Sequence, residues 1–122
     1  MKLLLVEDNA QVRAEIASYL SQFPIQIDEA ENGLTAFNKA KSDKYDIVIT
    51  DYKMPYIDGL KLIDNLENSL DYQAEQILLL TTDNSHEFKN KAKSLAINWL
   101  AKPVNRKSIE DFINQTLVVD AA

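Results

Sequence analysis

The chain has 122 residues, the length of one domain, and 46% of them are apolar, enough to bury a core. Its 13 basic and 19 acidic residues leave a net charge of −6, which excludes non-specific nucleic-acid binding through a basic face. It has no cysteine, so disulfides, thiolate metal sites and cysteine nucleophiles are excluded as well.

The opening run Leu3-Leu4-Leu5-Val6 stops at Glu7, too short for the apolar region of a secretory signal. No apolar stretch approaches the length of a membrane span, so the default compartment is the cytoplasm, with no membrane contact. Leu3 to Val6 instead reads as a first strand, closed by the acids Glu7 and Asp8. Val12, Ile16, Leu20 and Phe23 then mark one face of a helix, with Asn9 or Asp8 as its cap. Ile25 to Ile27 is a weaker strand, interrupted by Gln26, and suits a sheet edge. Leu34, Phe37 and Ala40 mark the second helix.

The third strand, Ile47 to Thr50, ends on Asp51. Leu62 and Leu66, with Leu60 and Ile63, mark the helix after it. Ile77 to Leu80 is the fourth strand, followed by Thr81 and Thr82. Phe88, Ala92 and Leu95 form a narrow stripe on a very polar fourth helix. Ile97 to Leu100 is the fifth strand, followed by Lys102. Ile109, Phe112, Ile113, Thr116 and Leu117 face inward on a last helix, capped by Asn105 or Ser108. Strands alternating with helical patterns indicate βαβ units and a parallel sheet. The continuous apolar runs of the first, third and fourth strands suit burial on both faces. Residues 1–118 read as one domain, and 119–122 as a C-terminal tail or the start of a linker.

In an open parallel sheet, functional loops gather at the carboxyl ends of the strands. There this chain has Glu7, Asp8, Asp51, Thr81 and Lys102. Two unit charges about 4 Å apart interact by roughly 4 kcal/mol at an intermediate dielectric. Three clustered acids must therefore protonate, separate or bind a cation. Carboxylates and water suit Mg²⁺, which pairs with phosphate oxygens. Asp51 alone would serve as a strand-end cap and Lys102 alone as a surface lysine; the combination carries the chemistry. Thr82 competes with Thr81 on spacing. Trp99, the single tryptophan, packs against something in any fold, and the single histidine, His86, reads as a solvated helix-start residue. Lys89, Lys91 and Lys93 read as a solvated face, and Gly33 and Gly59 as turn or helix-start residues.

Six segments then acquire a common meaning: Val6-Glu7-Asp8-Asn9, Glu29-Ala30-Glu31-Asn32-Gly33, Asp51-Tyr52-Lys53-Met54-Pro55, Asp58-Gly59, Leu80-Thr81 and Lys102-Pro103. In this order the chain resembles the receiver domain of two-component response regulators. The resemblance implies a flavodoxin-like (βα)5 fold, a doubly wound parallel five-stranded sheet of order 2-1-3-4-5. It implies that Asp51 is the phosphoacceptor, taking its phosphoryl group from a histidine kinase or phosphotransfer protein. Glu7, Asp8, Asp51 and the backbone carbonyl of Lys53 would bind Mg²⁺, with Mn²⁺ able to take its place. Thr81 would be the switch hydroxyl, Lys102 the cation paired with the phosphoryl group, and Trp99 the switch aromatic. Lys53 and Asp83 would flank the site, pair with each other, and set the lifetime of the phosphoryl group.

The same resemblance implies a signalling domain rather than an enzyme, one that promotes its own phosphorylation and dephosphorylation. Its output would be an unknown partner or a C-terminal effector domain, without direct nucleic-acid binding by this domain. Three departures stand out: Glu-Asp for the commoner Asp-Asp, Ala96-Ile97-Asn98 where Gly-Ala is common, and an indole at the switch position. The Lys102-Pro103 bond is expected to be cis. Two rivals are a hydrolase with an aspartyl-phosphate intermediate and a receiver-like binding module that is never phosphorylated. The first wants a second acid two residues after Asp51, where Lys53 stands; the second is disfavoured by the complete acid, hydroxyl and lysine set.

Overall fold

Five short runs form strands: β1 (Lys2–Val6), β2 (Gln26–Ala30), β3 (Ile47–Asp51), β4 (Ile77–Thr81) and β5 (Asn98–Ala101). Helices α1 (Ala10–Leu20), α2 (Gly33–Ser42), α3 (Gly59–Leu70), α4 (His86–Ser94) and α5 (Arg106–Ala121) alternate with them, and a 3₁₀ turn, Ala74–Gln76, leads into β4. The computed structural model describes residues 1–121, with side chains through residue 116. All strand pairs are parallel, in the order β2-β1-β3-β4-β5, which is the flavodoxin-like arrangement.

Side chains alternate across a strand, so each strand supplies two cores. Leu3, Leu5, Ile47, Ile49, Leu78 and Leu80 pack with Ile16 and Leu20 of α1 and Ile109 and Ile113 of α5. Leu4, Val6, Val48, Ile77 and Leu79 pack with Ala36, Ala40, Leu62, Ile63, Leu66, Phe88 and Ala92 of α2, α3 and α4. Every residue of β3 and β4 is buried, as their unbroken apolar runs require. β2 is an edge strand, as its interrupted pattern indicates.

The helix starts order the functional edge. Side-chain oxygens of Asn9, Asn32, Asp58, Ser85 and Asn105 accept amide N–H groups three residues on, at 2.8–3.1 Å. Two glycines sit where only a hydrogen fits. A Cβ on Gly33 would stand 2.3 Å from the Ile57 carbonyl oxygen, and one on Gly59 would stand 2.4 Å from that of Asp51.

Several elements depart from the sequence reading. β2 begins at Gln26 rather than Ile25, because the Ile25 amide turns back to the Phe23 carbonyl. β5 begins at Asn98 rather than Ile97, because Ile97 is consumed in ending α4. Its amide donates to the Ala92 carbonyl and that of Ala96 to Lys93, while Ala96 takes a left-handed φ of 54°. Leu95, past the end of α4, is therefore exposed and not part of the buried stripe. Leu34 is exposed too: α2 turns the small residues Gly33, Ala36 and Ala40 inward to lie close against the core. Phe23 lies beyond α1 but still packs on its side of the sheet. The backbone of α5 runs through Ala121, and the side chain expected inward at Leu117 lies outside the described residues.

Candidate functional site

Glu7, Asp8, Asp51, Thr81 and Lys102 stand at, or up to two residues past, the carboxyl end of a strand, where the sheet's hydrogen bonding still holds the backbone. The Glu7 amide donates to the Ala30 carbonyl at 3.0 Å, that of Tyr52 to Leu80 at 2.9 Å, and that of Lys102 to Thr81 at 2.8 Å. The ladder thus runs past the strands and fixes Glu7, Asp51, Thr81 and Lys102 against one another. The Lys102-Pro103 bond is cis.

Lys102 Nζ lies 3.3 and 3.4 Å from the two carboxylate oxygens of Glu7 and 3.2 Å from Asp51 Oδ1. Glu7 is 1% exposed and Asp51 7% exposed, while Asp8 reaches the surface. One carboxylate oxygen from each of Glu7, Asp8 and Asp51 lies within 4.8 Å of the others. A single ammonium cannot compensate three carboxylates. Burial first, and the Asp51 charge second, push the Glu7 carboxyl up to about 7 against the opposing pull of Lys102. Burial works to lower the Lys102 pKa, but Asp51 and Glu7 outweigh it and hold it above the ordinary lysine value. The donor set is all oxygen, anionic and short of positive charge, which fits a hard divalent cation such as Mg²⁺.

Asp51 is itself held. Its Oδ1 accepts both the Tyr52 amide at 3.0 Å and Lys102 Nζ. No protein hydrogen bond reaches Oδ2 among the described residues. Thr81 is buried while Thr82 is exposed. The Thr81 hydroxyl accepts the Asp83 amide at 2.9 Å and makes no bond to the acids. Trp99 is half-buried and meets Phe88 edge-on, with centroids 5.1 Å apart; Phe88 in turn lies 5.6 Å from the Tyr52 ring. A continuous row of rings thus runs from Trp99 to the residue after Asp51.

The expected pairing of Lys53 with Asp83 is not formed. Lys53 Nζ sits 4.1 Å from the Tyr52 ring centroid, a cation–π contact, and the Asp83 carboxylate accepts the Ser85 amide at 2.9 Å. Ser85 hydrogen bonds, and to a smaller degree Lys53, hold the Asp83 carboxyl below its ordinary value. His86 is the exposed first residue of α4.

Two features were not read from the sequence. Arg13 donates from Nη1 to the Glu7 carbonyl and from Nε to Glu29 Oε1, both at 2.8 Å. An arginine in the first helical turn after an acidic strand end was the available signal, since helical side chains lean toward the N-terminus. The second is the Phe88 bridge, which the apolar stripe of α4 marked only as core.

Comparison with known proteins gives a consistent picture. The model of the family described as response regulator receiver domain matches residues 3–114. A probable transcriptional regulatory protein of Salmonella typhimurium, SilR, is 33% identical over 104 residues, 84% of this chain and 45% of that protein. The chain therefore spans about half the length of that relative. The solved chemotaxis response regulator CheY4 of Vibrio cholerae has a TM-score of 0.83 at 28% identity, covering 94% of this chain and 97% of its own. The receiver domain of sensor histidine kinase PA1611 of Pseudomonas aeruginosa, solved with magnesium coordinated in its active-site cleft, has a TM-score of 0.82 at 22% identity. That match covers 93% of this chain and 94% of the other.

Proposed function

The chain belongs to the response regulator receiver domain family, and from that premise we propose that Asp51 accepts a phosphoryl group in a Mg²⁺-dependent reaction that switches protein–protein contacts. One observation carries this reading: Lys102 Nζ stands between Glu7 and Asp51, within hydrogen-bond reach of both, with Asp8 completing the acid cluster.

Glu7, Asp8, Asp51 and the Lys53 carbonyl would hold the ion, which when bound offsets charge on the phosphoryl oxygens. Mn²⁺ would serve in the same place. The remaining work falls to the chain's own groups. Lys102 and the Tyr52 amide fix Oδ1 of Asp51 and leave Oδ2 to attack phosphorus. As the new O–P bond forms, the P–N bond of a phosphohistidine donor breaks and its electron pair returns to the imidazole. Phosphoryl transfer of this kind needs positioning and charge neutralisation more than covalent machinery. Lys102 is placed to follow the new charge. The Thr81 hydroxyl, spent on the Asp83 amide in this structure, would turn to a phosphoryl oxygen and gain a charge-assisted bond available only in the modified state. Trp99, through Phe88 and Tyr52, would feel that change. Lys53 and Asp83 would tune the lifetime from opposite loops rather than as an ion pair.

The donor is a histidine kinase or phosphotransfer protein, and the output is a partner protein or an effector domain joined beyond the receiver unit, residues 1–118. On this reading the domain is cytoplasmic, touches no membrane or nucleic acid itself, and promotes its own phosphorylation and dephosphorylation rather than acting on other molecules. Incubation with acetyl phosphate and Mg²⁺ tests the class. A stable adduct supports a receiver, continuous turnover a hydrolase, and no modification a binding module.

A further inference from the structure

Arg13 lies in the first turn of α1, and side chains there lean back toward the helix start. The lean brings its guanidinium to the loop that carries the acids. Its two bonds join separate elements: the Glu7 carbonyl after β1 and the Glu29 carboxylate on β2. The Arg13 side chain is 19% exposed, whereas that of Glu29 is half-exposed. Such an ion pair adds little stability by itself. Its geometric consequence is larger, because a guanidinium is rigid and planar, and anchoring one donor aims the other.

We propose that Arg13 is a positioning residue for the acid cluster: its guanidinium ties the Glu7 carbonyl to Glu29 and so fixes the backbone from which Glu7 and Asp8 project. The inference rests on the reading that this cluster holds Mg²⁺. Glu7 is then held at three points: its amide by Ala30, its carbonyl by Arg13 and its carboxylate by Lys102. The other end of the brace is held too, since Lys39 Nζ donates to the Glu29 carbonyl at 2.6 Å. Glutamate has a longer arm than aspartate, with one more rotatable bond. Placing its carboxylate within a few tenths of an ångström therefore depends on a backbone that does not move. Groups that orient a metal ligand without touching the metal commonly change affinity by about 10–100-fold when removed.

The test is Mg²⁺ titration calorimetry on wild type, Arg13→Ala, Arg13→Lys and Glu29→Ala, with metal-free unfolding curves showing each protein folded at the assay temperature. Arg13→Ala is expected to weaken Mg²⁺ about 10-fold. Arg13→Lys keeps the charge but has one ammonium for two acceptors, so it is expected to lose most of the same affinity. It also serves where Arg13→Ala does not fold. Glu29→Ala is expected to lose less, because the Glu7 carbonyl bond survives. A merely structural role would lower the unfolding midpoint and leave the Mg²⁺ affinity of the folded protein unchanged; that result overturns the inference. Full rescue by Arg13→Lys would also overturn it, by assigning the effect to charge alone. A wild type that binds no Mg²⁺ removes the metal reading itself, and this inference with it. Arg13 variants that bind as tightly as a binding wild type remove this inference only.

Discussion

Glu7→Gln should make the metal-free protein more stable above neutral pH, although it removes a negative charge that faces Lys102. The Glu7 carboxyl is raised from an ordinary 4.5 to about 7 by burial and by Asp51. An acid with a raised pKa in the folded state binds its proton more tightly there than in the unfolded chain. Its contribution to stability is complete below about 4.5 and is lost as pH rises through about 7. At 1.36 kcal/mol per pH unit, the shift amounts to about 3 kcal/mol at full ionisation. Glutamine keeps an oxygen acceptor for Lys102 but carries no charge, so the variant lacks this loss. The raised value already includes the opposing pull of Lys102, so the weaker glutamine–lysine bond takes back nothing further. The net expectation is about 3 kcal/mol in favour of Glu7→Gln near pH 8.5, and no advantage near pH 4.5. For a chain of this size that is a shift of roughly 9–15 °C in unfolding midpoint. The assay is thermal unfolding of both proteins in chelator across pH 4.5 to 9. Added Mg²⁺ at pH 8 should raise the wild-type midpoint and do little for the variant, by mass action. If the wild-type and variant midpoints run parallel across that range in chelator, Glu7 is not a strained buried carboxylate and the charge-deficit account of the site is wrong.

Other predictions follow from separate features. Ala96 adopts a left-handed φ in the turn that ends α4, so Ala96→Gly should stabilise the protein by about 1 kcal/mol in denaturant unfolding; a destabilised variant would contradict the strain. Beryllofluoride with Mg²⁺ should change Trp99 emission, and Phe88→Leu should blunt that change by removing the ring between Trp99 and Tyr52; an unaltered response in Phe88→Leu would show that the signal takes another route. Lys53→Asn and Asp83→Ala should each speed loss of the phosphoryl group, with additive effects because the two side chains are not paired; strong non-additivity would mean that they meet in the phosphorylated state.

The fold was legible because unbroken apolar runs and helical stripes alternated with regular spacing. The element ends were less so. Ile97 looks like a strand residue in any window, yet its amide is taken by the Ala92 carbonyl, and hydrophobicity carries no record of that bond. Leu34 and Leu95 were misplaced for a related reason. α2 packs closely through Gly33, Ala36 and Ala40, and small residues give weak signals beside a leucine. At the site, the acids and Lys102 could be placed from strand ends alone, whereas choosing Thr81 over Thr82 needed burial or the family resemblance. The Lys53–Asp83 pairing failed because Tyr52 offered the lysine a ring one residue away. Arg13 was overlooked because its partners are a main-chain carbonyl and an exposed acid sixteen residues distant, neither of which leaves a spacing pattern.

The most direct measurement is the intact mass of the protein after incubation with acetyl phosphate. Wild type with Mg²⁺ should gain the mass of a single phosphoryl group, and chelator should abolish the gain. Asp51→Asn, which keeps the shape of the side chain but not its nucleophilic charge, should show none. A wild-type level of modification in Asp51→Asn, or in chelator, would contradict the assignment of Asp51 as the Mg²⁺-dependent phosphoacceptor.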